Sequence, residues 1–412
     1  MELFRRLALP ASATSDARVL VGSRAVRAFG DGFVSVLLAV YLRELGFSGF
    51  QIGMVTTATL LGSAMLTLAL GIVAYRLPRR RTLLAATLLM AGTGIGFAFV
   101  HDFWPLLLVA FVGTLNPSSG DVSVFLPLEQ SLLPQTVADR ERTGLFARYA
   151  FMASMAGAFG ALMAGVPGLV ADQTRLSFQN ALSAMFLFYA LLALVAFAFY
   201  RHLSPVIEPE SGVPTAPLRE SKRIVYVLAA LFSIDSFGSG LIVQSLLALY
   251  LFERYDLAVA TTGTIFFATS MLAAVSYPIA VWLARRIGLL NTMVFTHLPA
   301  NILLILVPFM PNVQLAVGLL LLRSILSQMD VPTRNSYVMA VVTPAERPAT
   351  ASVTAVPKSL ASASAPLLAG WLFGLSTFGW PLIVAGALKG IYDLLLFAMF
   401  KRVRPPEERG EG

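Results

Sequence analysis

The stretch Pro127-Leu128-Glu129-Gln130-Ser131 recurs in altered form 205 positions later, as Pro332-Thr333-Arg334-Asn335-Ser336. At the same offset, Glu141-Arg142 matches Glu346-Arg347. Further matches in the same order are Ala164-Gly165 with Ala369-Gly370, Tyr41-Leu42 with Tyr250-Leu251, and Phe29-Gly30-Asp31-Gly32 with Phe237-Gly238-Ser239-Gly240. One match would carry little weight, but an ordered series is typical of a duplicated unit. The sequence therefore predicts two similar halves.

The composition is that of a membrane protein rather than a soluble one. Hydrophobic residues make up 57% of the 412 residues and charged residues only 13%, whereas soluble domains average about 25% charged. Charged side chains are scarce in membrane spans because lipid offers them no water shell. The net charge of +8 is spread between apolar runs rather than grouped on one face, so we expect no nucleic-acid partner.

The sequence predicts no enzyme, no metal site and no cofactor. It contains no cysteine, and His101, His202 and His297 lie far apart, so neither thiolate nor imidazole metal sites are expected. No nucleophile and base stand at a recognisable catalytic spacing. The sequence also lacks the glycine-rich phosphate loop of ATPases, so we expect that ATP does not drive this protein.

Twelve apolar runs are each long enough to cross a bilayer, which takes about 20 residues. They are continuously apolar rather than alternating, which predicts helices and not a β-barrel. The predicted spans are 19–42, 51–75, 82–100, 104–134, 140–166, 179–200, 224–251, 259–284, 289–310, 313–342, 348–374 and 379–400. The predicted organisation is a six-helix half over 1–200, a proline-rich cytoplasmic linker over 201–222 and a six-helix half over 223–412.

Basic residues are concentrated in alternate loops, and this asymmetry predicts the orientation, because cytoplasmic loops carry the excess of lysine and arginine. The basic loops contain Arg76, Arg79, Arg80 and Arg81, then Arg140 and Arg142, the linker, Arg285 and Arg286, and Arg347. Both termini are therefore predicted to be cytoplasmic, in agreement with the even number of spans. The first apolar run is long enough to span, so we expect no cleaved signal peptide and a location in the inner (plasma) membrane.

A distinctive basic loop lies between the second and third predicted spans. It reads Gly71-Ile72-Val73-Ala74-Tyr75-Arg76-Leu77-Pro78-Arg79-Arg80, and the second half contains Leu283-Ala284-Arg285-Arg286-Ile287-Gly288 at the corresponding place. These loops resemble the G-x-x-x-D-R-x-G-R-R signature of the major facilitator superfamily, with Tyr75 in place of the acid. The resemblance covers essentially the whole chain.

The resemblance implies an all-α membrane protein with twelve transmembrane helices in two pseudo-symmetric six-helix bundles. It implies a monomer that transports a small-molecule substrate among membrane lipids, with the first, fourth, seventh and tenth helices lining a central cavity. It also implies that Arg76, Arg79 and Arg80 form a gating loop. Proton-driven drug antiporters of the superfamily carry an arginine in the fourth helix, where this chain has Asn116, so no subfamily is assigned.

Four acidic residues lie deep within predicted spans, where a charge costs roughly 2.5–3.5 kcal/mol and therefore needs a partner or a function. Asp31, Asp121, Asp235 and Asp330 lie on the first, fourth, seventh and tenth spans, and the resemblance would place all four around one cavity. Asp121 and Asp235 have no base within one turn on the same helix. We interpret these two as the leading candidates for proton coupling or substrate binding.

A basic layer is predicted about one turn nearer the cytoplasm, and it consists of Arg27, Arg148, Arg334 and Lys358. Side chains four positions apart share a helix face. This spacing predicts the ion pairs Arg27/Asp31, Asp330/Arg334 and Lys389/Asp393, and a similar depth lets Arg148 pair with Glu129 across a hairpin. Asn116 and Gln244 add uncharged polar groups. Each pair is open to two interpretations, a structural link between helices or part of a transport site.

The leading hypothesis is a secondary transporter that works by alternating access, is coupled to protons and exports a small organic solute. The alternatives are proton- or sodium-coupled uptake of an anionic metabolite, and a sensor or scaffold that transports nothing. The buried acids favour a cationic solute and the buried bases an anionic one. Because the two sets are balanced in number, the sequence leaves the substrate open.

Overall fold

The structure is a computed structural model that describes residues 13–73, 78–118, 124–137, 142–204, 219–343 and 346–403. Within these ranges every regular element is an α- or 3₁₀-helix, and the predicted all-α class is confirmed. The chain divides into two compact units. Unit 1 comprises residues 1–212 with 257–267, and unit 2 comprises residues 213–256 with 268–412.

The first eight helices are α1 Ser15–Glu44, α2 Gly49–Val73, α3 Arg79–Phe99, α4 Phe103–Val112, α5 Phe125–Leu132, α6 Arg142–Met163, α7 Val166–Gln173 and α8 Phe178–Tyr200. A 3₁₀ turn, Leu133–Thr136, follows α5. Helix α1 lies at the centre of unit 1, because every residue from Gly30 to Leu42 is buried. It packs against α6 and α8, while α3 packs against α8 and α2 against α4.

The remaining helices are α9 Lys222–Leu241, α10 Gln244–Tyr255, α11 Val259–Ile287, α12 Leu289–Leu306, α13 Val313–Ser327, α14 Asp330–Ala340, α15 Arg347–Leu375 and α16 Trp380–Phe400. In unit 2, α9 packs against α15 and α16, and α12 packs against α16. The contacts of α9 with α15 and α16 correspond to those of α1 with α6 and α8. The contact of α12 with α16 corresponds to that of α3 with α8. The repeated packing supports the duplication inferred from the sequence.

Nine helical segments within the described ranges are long and apolar enough to cross a membrane. The predicted spans 104–134, 224–251 and 313–342 are each divided into two helices, α4 with α5, α9 with α10, and α13 with α14. Each of these three spans therefore contains a break in the helix, although Lys222–Tyr255 as a whole is long and apolar enough to cross a membrane. The total of twelve crossings and the cytoplasmic position of both termini stay predictions.

The break after α4 has a local cause. Gly113 ends the helix in an extended conformation, with φ −74° and ψ 178°. Pro117 disfavours a helical conformation of the preceding residue, Asn116, and has no N–H to donate. The Asn116 side-chain oxygen instead accepts hydrogen bonds from the Ser118 N–H at 3.1 Å and the Ser118 hydroxyl at 2.9 Å. Asn116 is therefore a turn residue beside the helix end.

Small residues let helices cross closely at equivalent places in the two units. A Cβ at Gly32 would lie 2.1 Å from the carbonyl oxygen of Gly157 on α6, and a Cβ at Gly240 would lie 2.2 Å from that of Ser362 on α15. A Cβ at Gly160 would likewise lie 2.0 Å from the Phe29 carbonyl oxygen. Such close backbone approach is typical of small-residue contacts between membrane helices.

We expect Gly32→Ala and Gly240→Ala each to lower the free energy of unfolding by about 1–3 kcal/mol, because the added methyl group forces two backbones apart. Gly92→Ala on α3 is the matched control, since a Cβ there meets no heavy atom within 4 Å. That change should be neutral or stabilising by up to about 1 kcal/mol. Thermal unfolding of detergent-purified variants measures the difference, and equal stability of all three variants would contradict the close crossings.

Candidate functional site

The Arg27 guanidinium is the centre of a buried polar cluster in unit 1. Arg27 is 1% exposed, forms an ion pair with Glu129 of α5 and donates from Nε to the Tyr200 hydroxyl at 3.2 Å. The buried Glu129 carboxylate also accepts from the hydroxyls of Tyr149 at 2.5 Å and Tyr200 at 2.7 Å. The guanidinium carbon lies 4.1 Å from the centre of the Phe125 ring. Helices α1, α5, α6 and α8 thus meet at one charge pair.

Asp31 is not the ion-pair partner of Arg27, and this prediction is wrong. Its carboxylate is contacted by the Tyr189 hydroxyl, 3.4 Å from Oδ1, and by the Asn116 side chain. Both partners are neutral, and Asp31 takes part in no ion pair within the described part of the chain. The i,i+4 rule failed because Arg27 pairs with Glu129, a carboxylate from a different helix.

The contact predicted between Glu129 and Arg148 is made by the neighbouring residue. Tyr149, which follows Arg148 on α6, donates its hydroxyl proton to Glu129. Tyr149 is 3% exposed, and Arg148 is half-buried beside it. The fourth and fifth predicted spans are therefore connected by a hydrogen bond from the neutral Tyr149 hydroxyl to Glu129. The sequence predicted an ion pair with Arg148 at the same depth.

Asp235 is the centre of a second cluster, in unit 2. Its Oδ2 lies 2.9 Å from Nη1 of Arg334 on α14, and its Oδ1 lies 2.6 Å from Nζ of Lys389 on α16. Nε2 of His297 on α12 is 3.8 Å from the same Oδ1. The predicted pair of Asp330 and Arg334 is confirmed, with 3.3 Å between Oδ2 and Nη1. Asp235 has no base within one turn on its own helix, but two bases from other helices bind it.

Asp393 pairs with α12 and not with Lys389, so the predicted Lys389/Asp393 pair is wrong. The Asp393 Oδ1 lies 2.9 Å from Nδ1 of His297, and its Oδ2 accepts a hydrogen bond from Asn301 at 2.9 Å. Lys389 points to Asp235 instead, and it also donates to the Ser239 hydroxyl at 2.7 Å. The two residues of α16 therefore bind different neighbouring helices.

Lys389, His297 and Asn301 belong to the unit 2 cluster but were not among the predicted site residues. The sequence contained a signal for each of them. Lys389 is a charge within an apolar run, and His297 and Asn301 lie four positions apart in one span. The local spacing of Lys389 and Asp393 predicts a pair on one helix, and an isolated histidine gives no sign of its partner, so neither signal points to Asp235. In the described ranges, no group of three or more histidine or acidic residues could hold a metal ion.

Three further residues of the predicted site remain to be placed. Two of them lie in unit 2, and the third lies outside the described ranges. Lys358 on α15 is half-buried, and so is Gln244, the first residue of α10. Asp121 falls between α4 and α5, outside the described residues. The structure thus brings Arg27, Glu129, Asp31 and Asn116 close together, and separately Asp235, Asp330 and Arg334.

The basic loop before α3 is described only in part. Arg76 lies outside the described residues. Arg79 and Arg80 form the first turn of α3, and Nη2 of Arg80 donates to the backbone oxygen of Arg201 at 2.7 Å. This bond ties the start of α3 to the end of α8, both within unit 1. Whether the loop gates transport stays a prediction.

The Glu346 carboxylate binds the backbone at the start of α9. It accepts the N–H groups of three successive residues, Arg219, Glu220 at 2.8 Å and Ser221 at 3.0 Å. These hydrogen bonds, led by that of Arg219 and joined by the Ser221 hydroxyl, lower the pKa of Glu346 from 4.5 to about 2. We call this arrangement the Glu346 clasp. It ties the loop before α15 to the beginning of the second repeat.

Comparisons with known proteins place the chain among membrane transporters. A sequence profile of the Major Facilitator Superfamily matches residues 20–329 and 228–412. The chain is similar to the nucleoside transporter NupG, of which a variant has been solved, with a TM-score of 0.72, 15% identity, and coverage of 94% of this chain and 100% of NupG. At 15% identity, this similarity shows that the two chains share a fold, and it does not show a shared substrate.

Two curated relatives match by sequence. The chain is 25% identical over 423 aligned residues to the Uncharacterized membrane protein YJR124C of Saccharomyces cerevisiae, covering 94% of each chain. It is 31% identical over 126 residues to the Fatty acid resistance protein FarB of Neisseria gonorrhoeae. That second match covers 30% of this chain and 24% of FarB.

We expect Glu129→Leu to lower the free energy of unfolding by about 3–5 kcal/mol, because it leaves the Arg27 charge buried without its partner. The double variant Arg27→Met with Glu129→Leu removes both charges and should lose less stability than Glu129→Leu alone. Thermal unfolding of the purified proteins measures both. A double variant less stable than either single variant would show that the pair itself does not carry the effect.

The Glu346 clasp should make stability depend on pH. Because the folded pKa lies near 2 and the unfolded value near 4.5, the clasp contributes fully above about pH 4.5 and is lost as the pH falls towards 2. The Tm difference between wild type and Glu346→Gln should therefore shrink from about pH 6 to about pH 3. Glu44→Gln, at an exposed acid, is the control. A constant Tm difference for Glu346→Gln would contradict the clasp.

Proposed function

Because the chain belongs to the major facilitator superfamily, we propose that it is a secondary active transporter that moves a small organic solute by alternating access. Transport is coupled to protons, and the solute is exported. The protein works as a monomer in the inner (plasma) membrane, with both termini in the cytoplasm. Its functional halves are residues 1–200 and 223–412, joined by a cytoplasmic linker over 201–222, and Arg76, Arg79 and Arg80 gate the cytoplasmic side.

The environment of Asp31 carries the proposal of proton coupling. Asp31 is 9% exposed and meets only neutral hydrogen-bond partners, Tyr189 and Asn116. Arg27 and Arg24 act on Asp31 only through space, without an ion pair. A buried carboxylate that forms no ion pair is costly, and binding a proton removes its charge. The nearest base on the same helix face, Arg27, is already occupied by Glu129. Asp31 can therefore exchange a proton without breaking an ion pair.

Asp235 has a different role in this proposal. Arg334 and Lys389 bind both of its oxygens, so Asp235 stays ionised and holds these two bases in position. A solute that displaces Arg334 or Lys389 from Asp235 breaks an ion pair between α9 and α14 or between α9 and α16. Asp235 thereby couples solute binding to helix rearrangement, while Asp31 and Asp121 are the candidates for carrying the proton.

The direction of transport is supported by a partial relative. FarB is named for fatty acid resistance, and resistance to an external compound is typical of export. The second candidate is proton- or sodium-coupled uptake of an anionic metabolite, and the basic residues Arg334 and Lys358 favour it. A sensor or scaffold without transport activity is the third. Flux measurements distinguish all three.

We expect Asp31→Asn to abolish solute flux driven by a pH gradient, because the amide cannot bind and release a proton. Proteoliposomes are incubated with a mixed metabolite extract, with and without an imposed pH gradient, and mass spectrometry quantifies each solute in the lumen. Wild type should move at least one solute in a gradient-dependent way. With Asp31→Asn the uptake of that solute should fall to the level of protein-free vesicles.

The control is Asp172→Asn, at an exposed acid on α7, which should retain wild-type flux. Undiminished gradient-driven flux with Asp31→Asn would remove Asp31 from the coupling mechanism. Flux that follows a sodium gradient and ignores the pH gradient would favour the uptake alternative. If wild type moves no solute under any gradient, the chain is not a transporter of the solutes in the extract, and the sensor hypothesis gains.

A further inference from the structure

The Asp235 cluster contains more basic than acidic groups. Four bases, Arg323, Arg334, Lys358 and Lys389, lie within electrostatic reach of Asp235. The carboxylates around them are those of Asp235, Asp330 and Asp393. Asp393 is already bound to His297 and Asn301. Within the described part of unit 2, the cluster therefore carries at least one positive charge without a carboxylate.

Arg323 and Lys358 are the two bases of the cluster that form no ion pair with a described carboxylate, and Lys358 is the more exposed of the two. It forms no ion pair or hydrogen bond with any described residue, whereas Arg334 and Lys389 are each bonded to Asp235. Its strongest charged neighbour is Arg334, a like charge, followed by Asp235, Asp330 and Lys389. Two adjacent cations in low-dielectric surroundings repel each other. An anion placed between them would relieve that repulsion.

Further polar atoms near the same place have no hydrogen-bond partner among the described residues. The Tyr392 hydroxyl, in a residue 1% exposed, makes no hydrogen bond with a described residue, and Arg334 and Asp235 lie within electrostatic reach of it. The Nε atom of Arg323, on α13, is also buried without an acceptor. Buried donors normally find acceptors. Since each oxygen of Asp235 already binds a base, these donors fit an acceptor that is not part of the protein.

We propose that Lys358, Arg334 and the Tyr392 hydroxyl form a subsite in unit 2 for the anionic group of the transported solute, a carboxylate or phosphate. Lys358 supplies a positive charge that no described carboxylate pairs with, and Arg334 supplies a second cation whose position Asp235 fixes. Lys358 is half-buried, so the subsite is reachable by a solute. This assignment of substrate class rests on the proposed transport function.

The test measures the local electrostatic potential and needs no knowledge of the solute. The chain contains no cysteine, so Thr354→Cys introduces a single thiol one turn from Lys358 on the same face of α15. The purified full-length protein is treated with anionic sulfonatoethyl methanethiosulfonate or cationic trimethylammonioethyl methanethiosulfonate. The ratio of the two modification rates reports the charge that the reagents meet.

Adding Lys358→Gln should lower the anion-to-cation rate ratio by roughly sevenfold, the effect of one unit charge at about 7 Å even in fully hydrated surroundings. Lys358→Arg keeps the charge and should retain the ratio. Arg286→Gln is the matched control, because it removes a cation that stacks on Trp282 and is not among the charges that act most strongly on Lys358. An unchanged ratio with Lys358→Gln, or a thiol that reacts with neither reagent, overturns the subsite.

Protection of the thiol identifies the ligand class. Benzoate, octanoate and hexyl phosphate are each compared with their amide, alcohol or amine counterparts. At least one anion should slow modification when Lys358 is present and lose this effect with Lys358→Gln, while the neutral and cationic counterparts protect less. If no anion protects, or if the amines protect best, the anionic class is wrong.

The labelling experiment tests the anion subsite and the flux experiment tests the transport function, so either proposal can fail without the other. If the rate ratio depends on Lys358 but wild type moves none of the extract solutes under any gradient, the anion subsite stands and the sensor hypothesis replaces transport of those solutes. If gradient-driven flux is present and the ratio does not depend on Lys358, the transporter proposal stands and this subsite is wrong. Gel filtration of each variant shows that a lost signal does not come from misfolding.

Discussion

The central charge of each unit, buried among apolar helices, is compensated by a charge from another helix, and the arrangement of both units depends on this pairing. In unit 1 the guanidinium of Arg27 meets Glu129, and two tyrosine hydroxyls complete the coordination of the carboxylate. In unit 2 the carboxylate of Asp235 meets Arg334 and Lys389. The apolar surfaces are satisfied equally well by lipid or by protein, whereas each charge has a small number of acceptable partners. The charges therefore select which helices pack together.

The two units meet the same requirement with opposite polarity. The central group is a base in unit 1 and an acid in unit 2, although α1 and α9 occupy equivalent places in the repeat. The close crossings at Gly32 and Gly240 are retained in both copies. Duplication has thus preserved the backbone contacts while the polar chemistry diverged. This divergence leaves unit 1 with a carboxyl on neutral partners and unit 2 with a surplus of positive charge.

The sequence predicted the helical class, the duplication and most of the buried charged positions, because apolar runs and charges within them are properties of the chain itself. It predicted the Asp330/Arg334 pair, which is local. It failed for Arg27/Asp31 and Lys389/Asp393, because the true partners come from helices about a hundred or more residues away. The break at Asn116 was also underestimated. Pro117 was visible, but the turn depends on a side-chain bond to Ser118 that hydropathy does not report.

The separation of the charged partners along the chain has a consequence for biosynthesis. Asp235 and Lys389 are 154 positions apart, so the acid enters the bilayer long before its base has been translated. At about 5–20 residues per second, the delay is of the order of ten seconds or more. During that interval α9 carries an acid that Lys389 does not yet compensate. Assembly of unit 2 must therefore wait for α16, and a nascent chain that stalls before Lys389 presents an incomplete cluster to the quality-control machinery of the cell.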